Sequence, residues 1–341
     1  MSSVAAAIRD RDVAQLPTRR DENWRWTDLR ALIRVLPEPS EAAKATGEGP
    51  FDALAQSAQT IVNGQGAAPI AVAAGQAAVA ALRFVSSGAG SHAASVEISV
   101  DANGRLQLLE SYESDDASVS QATLTITTGA GAVVERIVLA QDDPEAVCVS
   151  QATVTLAPTA TFSQTVIASG ARRQRLETEV LHPGGGAALR LDGLYLLAGK
   201  AHCDQTTVVT HAGTDGVTVQ LTKGVVRDQA RGVFQGKIVV EEGADRTDAR
   251  MGHHALILSD RAEVDAKPEL EIFADDVACA HGNTVGALDD DALFYARQRG
   301  MTEDEARALL TEAFIGEVVD RIEHEGARDV VRAWVSERLR A

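Results

Sequence analysis

Aromatic side chains make up only 4% of the 341 residues, so a core drawing on the 45% hydrophobic content must be built mainly from Val, Leu, Ile and Ala. That length is enough for one large domain or two ordinary ones, with ample core to bury. Cysteine is scarce: Cys148, Cys203 and Cys279 are far apart and odd in number, whereas a secreted disulfide scaffold uses more of them, in even numbers. Basic charge is in deficit, with 32 Lys and Arg against 49 Asp and Glu and a formal net charge of -17. Such an excess of carboxylates repels phosphates and argues against nucleic acid and anionic membrane surfaces as partners. Long apolar runs are missing too. The most apolar stretch, residues 66–82, is mostly Ala and is interrupted by Pro69, Gly75 and Gln76, so it falls short of a membrane span. The N-terminal MSSVAAAIRDRD mixes charges early and has no apolar run of the signal-peptide type. These absences predict a reduced, soluble, cytoplasmic chain.

What is present changes character twice along the chain. Residues 1–90 read as a helical and irregular N-terminal region. Within it Arg19–Arg34 sets Trp24 and Trp26 beside charged residues, with Leu29, Leu32 and Ile33 at helical spacing. Residues 40–90 are rich in Ala, Gly, Ser and Gln and carry no assignable pattern, so they form either a loose connection or a short entry domain. From 91 to 286 short runs alternate with a period of two: Val96, Ile98 and Val100; Leu124 and Ile126; Val154 and Leu156; Val217, Val219 and Leu221. Alternating apolar and Thr, Ser or Gln positions mark strands with one buried face, and nearly two hundred residues of them require an all-β architecture. Turn residues near Gly131, Thr159, Ala187 and Ala201 recur at multiples of roughly 14–15 residues, which suits a parallel β-helix with coils of about 28–30 residues. A β-sandwich is the alternative, but Asp-Gly hairpin signals occur here only at Asp192-Gly193 and Asp215-Gly216.

Residues 287–341 read as helical again. Asp289, Asp290 and Asp291 open a short helix that Gly300 stops, and Thr302 with Glu305 forms a capping box. Behind it Ala306, Leu309, Leu310, Ala313, Phe314, Val318 and Ile322 make an apolar stripe. Gly326 then breaks the chain before a last helix bearing Val330, Val331, Trp334 and Leu339. So wide a stripe must cover either the open end of the coil or a partner protein.

The most informative stretch for chemistry is DDVACAHG, residues 275–282. In an extended strand Cys279 and His281 project from one face, and Ala278 and Ala280 fill the other, small enough for the inside of a tight coil. A thiolate and an imidazole side by side are half of a site for iron or zinc, which ordinarily takes four ligands. The alternative is a buried thiol and a hydrogen-bonded histidine. His253 and His254, and His202 with Cys203, are neighbours that point to opposite faces and cannot chelate together; His202 and His211 could meet across adjacent strands. His92, His182 and His324 have no company of note. Phosphate-binding and nucleophile-elbow motifs are absent from the sequence, and no carboxylate pair stands out for glycoside chemistry.

Several longer phrases carry more than spacing. HCDQTTVVTH (202–211), QLTKGVVRDQARGVFQGKIVV (220–240), the block from Leu256 to Leu310, and ENWRWTDL (22–29) together resemble the SufB/SufD family of iron–sulfur cluster assembly subunits. ADDVACAHG followed by TVG resembles the D-V-x-C-x-H-G-x-T-V-G signature of the SufD branch, with Asn283 where Ala is usual. The resemblance is strong over residues 180–320, weaker over 90–180 and poor over 35–90.

It implies a mainly β protein, a right-handed parallel β-helix flanked by N-terminal and C-terminal α-helical segments. It also implies a non-catalytic scaffold that pairs with a SufB-like subunit and docks a SufC-like ATPase through its C-terminal helices. Cys279 and His281 would then face the SufB-like partner at a nascent cluster or iron site, and Tyr295, Arg299 and Phe314 would face the ATPase. No cofactor would be held tightly by the isolated chain, only iron or a cluster in transit. A subunit built to pair with a homologue can also pair with itself, so a homodimer is one state open to the isolated chain, beside the monomer. The rival readings are a β-helix polysaccharide enzyme and a metal-free structural solenoid.

Overall fold

The computed structural model describes residues 3–340, with side chains to residue 339. The outermost positions of both terminal regions, 1–2 and 341, lie outside the described residues. Strands sort by parity into two parallel sheets. One holds β1 (Ser57–Val62), β3 (Ala77–Ser86), β5 (Arg105–Ser114), β7 (Val133–Gln141), β9 (Thr161–Ala168), β11 (Ala188–Leu197), β13 (Val217–Val226), β15 (Thr247–Ile257) and β17 (Val277–Gly286). The other holds β2 (Ile70–Val72), β4 (Ser91–Val100), β6 (Val119–Thr128), β8 (Val147–Thr155), β10 (Arg173–His182), β12 (His202–His211), β14 (Arg231–Val240) and β16 (Glu263–Ile272).

The chain therefore winds as a parallel β-solenoid, two strands to a coil, and each residue sits on its counterpart one coil earlier. Ala77 pairs with Arg105 and Arg105 with Val133; Gln107 hydrogen-bonds Glu135, 28 residues on. Left-handed backbone at the corners, as at Gly131 with φ 67°, turns the chain from one sheet to the next. Residues 57–90, which carry no legible pattern in the sequence, form β1–β3. Their Ala-rich runs pack against larger neighbours such as Leu106 and Leu108 instead of alternating with polar residues.

The core between the sheets is a continuous stack of buried Val, Leu, Ile and Ala, with Phe162, Phe234 and Tyr195 among the largest fully buried side chains. A polar knot is set into this stack. Arg136 donates from Nε and Nη2 to both oxygens of Glu110 at 2.7 and 2.8 Å, and the Tyr112 hydroxyl donates to Glu110 at 3.0 Å. Ser150 donates in turn to Tyr112, and Gln164 accepts from Arg136 Nη1.

The flanking segments cover the two outer faces. At the N-terminus the expected helical run is instead a strap with only short helices, α1 (Val4–Asp10) and α2 (Leu29–Leu32), joined by single 3₁₀ turns. Tertiary contacts override helix spacing there. Trp24 lies over the Arg175 guanidinium at 4.2 Å, and Thr27 donates to Asp204, which also pairs with Arg175 at 2.6 Å. His202 donates from Nε2 to the Trp26 carbonyl.

At the C-terminus α3 (Asp290–Gln298), α4 (Glu303–Val319) and α5 (Glu325–Arg340) follow the expected signals. Asp289 caps α3, Gly300 follows with φ 93°, and both bonds of the Thr302–Glu305 capping box are made. Gly326 does not break the chain. It lies inside α5, close against Leu54, where a side chain would collide.

The expected apolar stripe divides: Ala306 and Leu310 pack against α3, Leu309 and Ala313 are exposed, and Val318 and Ile322, with Phe314 half-buried beside them, turn to the coil. Ile315, Val318, Val319 and Ile322 join Val331 and Trp334 over Leu109, Ile137, Ile167, Leu194 and Leu221, the outer face of the odd-numbered sheet. Those strands are apolar on both faces, as a sheet buried on both sides must be. Glu135 accepts the backbone N–H groups of Glu323 and His324, and the Trp334 indole donates to Gln141 at 3.0 Å, which fastens the helices down.

Removing one partner of the interior ion pair leaves the other charge buried and uncompensated, a loss of about 3–5 kcal/mol. Glu110→Ala is therefore expected to lower the denaturation midpoint sharply, while Asp320→Ala, which leaves its exposed partner Arg332 in water, lowers it little; urea titration followed by circular dichroism measures both.

Candidate functional site at the open end of the coil

β17 pairs only with β15, and β16 only with β14, so the last coil presents two unpaired strand edges. Natural sheets usually blunt such edges with Lys, Pro or bulges. β16 carries Lys267 and Pro268, but the ten residues of β17, VACAHGNTVG, contain neither type.

Register decides which way the side chains of β17 face. Val277, Cys279, His281 and Asn283 stand beside Thr247, Ala249, Met251 and His253 of β15, all four of which are buried on the core side. Cys279 and His281 thus share one face, as the spacing predicts, but it is the inner face of the last coil. Ala278 and Ala280, expected inside, are exposed on the outside. Cys279 packs half-buried against the main core, while His281 is exposed because no further coil covers it. Their Cα atoms are about 7 Å apart along the strand, so both can reach one ion at the mouth of the coil.

Burial, with Asp248 nearby, pushes the Cys279 thiol up, against a lowering contribution from a hydrogen bond with the Ala249 backbone. The group rests as a thiol and becomes a good ligand only when a cation displaces its proton. Among the described residues no three His, Cys, Asp or Glu side chains gather around a common point. Cys148 and Cys203 are free and buried elsewhere.

Asn283 completes the row. Its Oδ1 lies 2.7 Å from Nδ1 of His253, whose Nε2 lies 2.8 Å from the Tyr195 hydroxyl. The His253 ring is fully buried and stacked on Phe234, with centroids 4.6 Å apart. Gly224 and Gly232 leave the slot that the Tyr195 ring occupies; a Cβ at either would overlap it. Sequence reading missed this chain of three. The signal is positional, since His253 and Asn283 are 30 residues, one coil, apart.

The other histidines resolve differently from expectation. His202 and His211 sit at opposite ends of β12 and do not meet. His211 instead stacks on His182, one coil earlier, with ring centroids 4.4 Å apart, and bonds Thr218 at 2.9 Å. His253 and His254 do point to opposite faces, and His254 bonds Thr284. His92 lies between Ser40 and Ser86, and His324 accepts from the Ala327 backbone in the first turn of α5.

On the C-terminal helices Arg299 donates to the Tyr295 hydroxyl at 2.8 Å, and both are exposed. Phe314 lies apart from them, half-buried against the coil with Lys223 over its ring at 4.5 Å.

Stacked parallel coils with flanking helices, ending in a bare strand that bears a thiol and an imidazole, define the class of the molecule as a parallel β-solenoid. Comparison with known proteins gives it a family. The profile described as "SUF system FeS cluster assembly, SufBD core domain" matches residues 84–314, and the chain belongs to that family. It is 36% identical over 219 residues to the iron–sulfur cluster assembly protein SufD of Escherichia coli, a match covering 64% of this chain and 52% of that protein. A SufBD-family protein of Synechocystis is 35% identical over 167 residues, 49% of this chain and 37% of that one. One from Mycobacterium leprae is 27% identical over 389 residues, 97% of this chain and 92% of the relative. The chain thus spans about half the length of the E. coli protein and less of the Synechocystis one.

Burial also sets a pH dependence. It pushes His92, His202 and His253 down to about 4 and His211 down to about 3, from an ordinary value near 6.5. Between these values the unfolded chain binds protons that the folded chain refuses, so stability is full above pH 6.5 and is lost as pH falls toward 4. His182 is lowered by burial as well, while Asp192, pushed up to about 6, and Asp142 and Glu179, also pushed up by burial, work in the opposite direction as three groups against five. The melting temperature is expected to fall steadily from pH 6.5 to 4; scanning calorimetry at low salt across that range measures it.

Proposed function

We propose that this chain is a non-catalytic scaffold subunit of an iron–sulfur cluster assembly complex, acting as SufD-like proteins do. In this reading it pairs with a SufB-like subunit through the open end of the coil and docks a SufC-like ATPase on its C-terminal helices. The observation that carries the reading is the unpaired edge of β17, a row of free backbone N–H and C=O groups, with Cys279 and His281 on the same strand. A homologous coil can satisfy that edge by strand addition, and it brings the ligands a two-residue half-site lacks.

Iron, or a nascent cluster, is cargo here. It is held between subunits while the cluster forms and is released afterwards, so the isolated chain keeps no cofactor. ATP hydrolysis and sulfur mobilisation belong to partner proteins. Tyr295 and Arg299, exposed and joined to each other, are offered to the ATPase, with Phe314 contributing from its half-buried position nearer the coil. The same free edge allows two copies to pair when no homologue is present. The excess of acidic side chains and the reduced cysteines suit work in the cytoplasm, away from nucleic acid and membrane surfaces.

Co-expression with SufB-like and SufC-like partners tests this reading. Native mass measurement should show a complex that survives Cys279→Ala and His281→Ala, while anaerobic iron and sulfide analysis should show several-fold less of both elements in each variant. Wild-type iron and sulfide in both variants would refute the site; failure of the wild-type chain to join either partner would leave a metal-free solenoid.

A further inference from the structure

We infer that Tyr195, His253 and Asn283 form a positioning chain that holds the inner face of β17 and thereby sets the geometry of the Cys279–His281 half-site toward a divalent cation. The inference rests on the proposed iron site and adds to it a determinant one coil deep.

The terminal strand has a particular mechanical problem. Among the described residues the inner strands β3–β15 are clamped by a ladder on both sides, but β17, like β1 at the other end of its sheet, has a ladder on one side only. Its first half is held by apolar contact, since Val277 and Cys279 pack against the core. From His281 onward the strand is exposed and that contact is gone. On the inner face of this second half the tie to the core is Asn283, bonded to His253 at 2.7 Å.

His253 is suited to hold a strand in place because it cannot move itself. It is fully buried, stacked nearly parallel on Phe234, and fixed at Nε2 by Tyr195, whose ring fills the slot left by Gly224 and Gly232. The bonding also sets the direction of each proton. Asn283 Oδ1 can only accept, so the one N–H of a buried, neutral imidazole sits on Nδ1, and Nε2 accepts from the Tyr195 hydroxyl. The amide is thereby held with its oxygen inward, leaving the –NH₂ branch on the open side of the strand, two residues beyond His281. Donors of this kind at a cluster's edge hydrogen-bond sulfide or thiolate sulfur.

The test uses the full-length chain with Asn283→Ala and Asn283→Asp, the latter retaining an acceptor for His253. Two readouts are taken: amide hydrogen exchange over residues 281–286, and titration with Co(II), followed by the thiolate-to-cobalt charge-transfer absorption. Asn283→Ala should speed exchange in that segment about tenfold, the worth of one net hydrogen bond, with exchange in β5–β13 unchanged. It should also weaken Co(II) binding several-fold and shift the absorption band; Asn283→Asp should restore the protection. Wild-type exchange in Asn283→Ala overturns the inference, and so does faster exchange with an unaltered band and affinity. If the wild-type chain and its SufB-like complex give no thiolate band at all, the iron reading fails, and the exchange result alone decides whether this chain of bonds holds the strand.

Discussion

In-register stacking of coil upon coil is the constraint from which the rest of the molecule follows. Once Arg105 lies on Ala77 and Val133 on Arg105, every later residue inherits its side of the sheet from the residue one coil before it. A one-residue slip would exchange the inner and outer faces of a whole strand, and here both faces are committed. The inner face builds the core, the outer face of the odd-numbered sheet is buried under α4 and α5, and the outer face at the N-terminal ends of the even strands meets the N-terminal strap. Polar groups obey the same geometry. Glu110 finds Arg136, and Arg175 finds Asp204, because the partners are about one coil apart and face the same way.

Much of this was legible in the amino-acid order, and what was not has identifiable physical causes. From Ser91 onward the alternation of Val, Ile and Leu with Thr, Ser and Gln announces strands, and the regular turns announce a coil. Before Ser91 the Ala-rich run at Ala77–Ala81 gives no contrast between faces, so β3 is silent in the sequence although its partner β5 is not. The strap around Trp24 is silent for a different reason: its shape is set by Arg175, Asp204 and His202, far away in the chain. The caps of α3 and α4 were readable because capping is local. Where the helices land was not, because the apolar runs in β5, β7 and β11 show two buried faces only once something is found to cover the second.

The site divides along the same line. Parity alone puts Cys279 and His281 together, since both are odd-numbered positions on one strand. Parity cannot say which face is the inner one, and the small size of Ala278 and Ala280 suggests the wrong answer. The neighbours Ala249 and Met251, already buried on β15, settle it. His253 and Asn283 were out of reach for the same reason, their bond being visible only when one coil is laid on the next.

The placement of the helices gives the open end its meaning. Among the described residues α4, α5 and the N-terminal strap lie on the outer faces of the sheets, and none of them on the bare edge of β17. An edge of ten residues without Lys or Pro invites uncontrolled association unless a specific strand meets it. On the proposed reading the edge is bare because the chemistry of the subunit lies between two chains. The ligand pair fits that logic. A half-buried thiol pushed up in pKa is inert until a cation arrives, and two ligands bind weakly until two more are brought. On the proposed reading, one event meets both needs: the strand that satisfies the backbone of β17 is also the one that carries the missing ligands, so the site is assembled only where it is used.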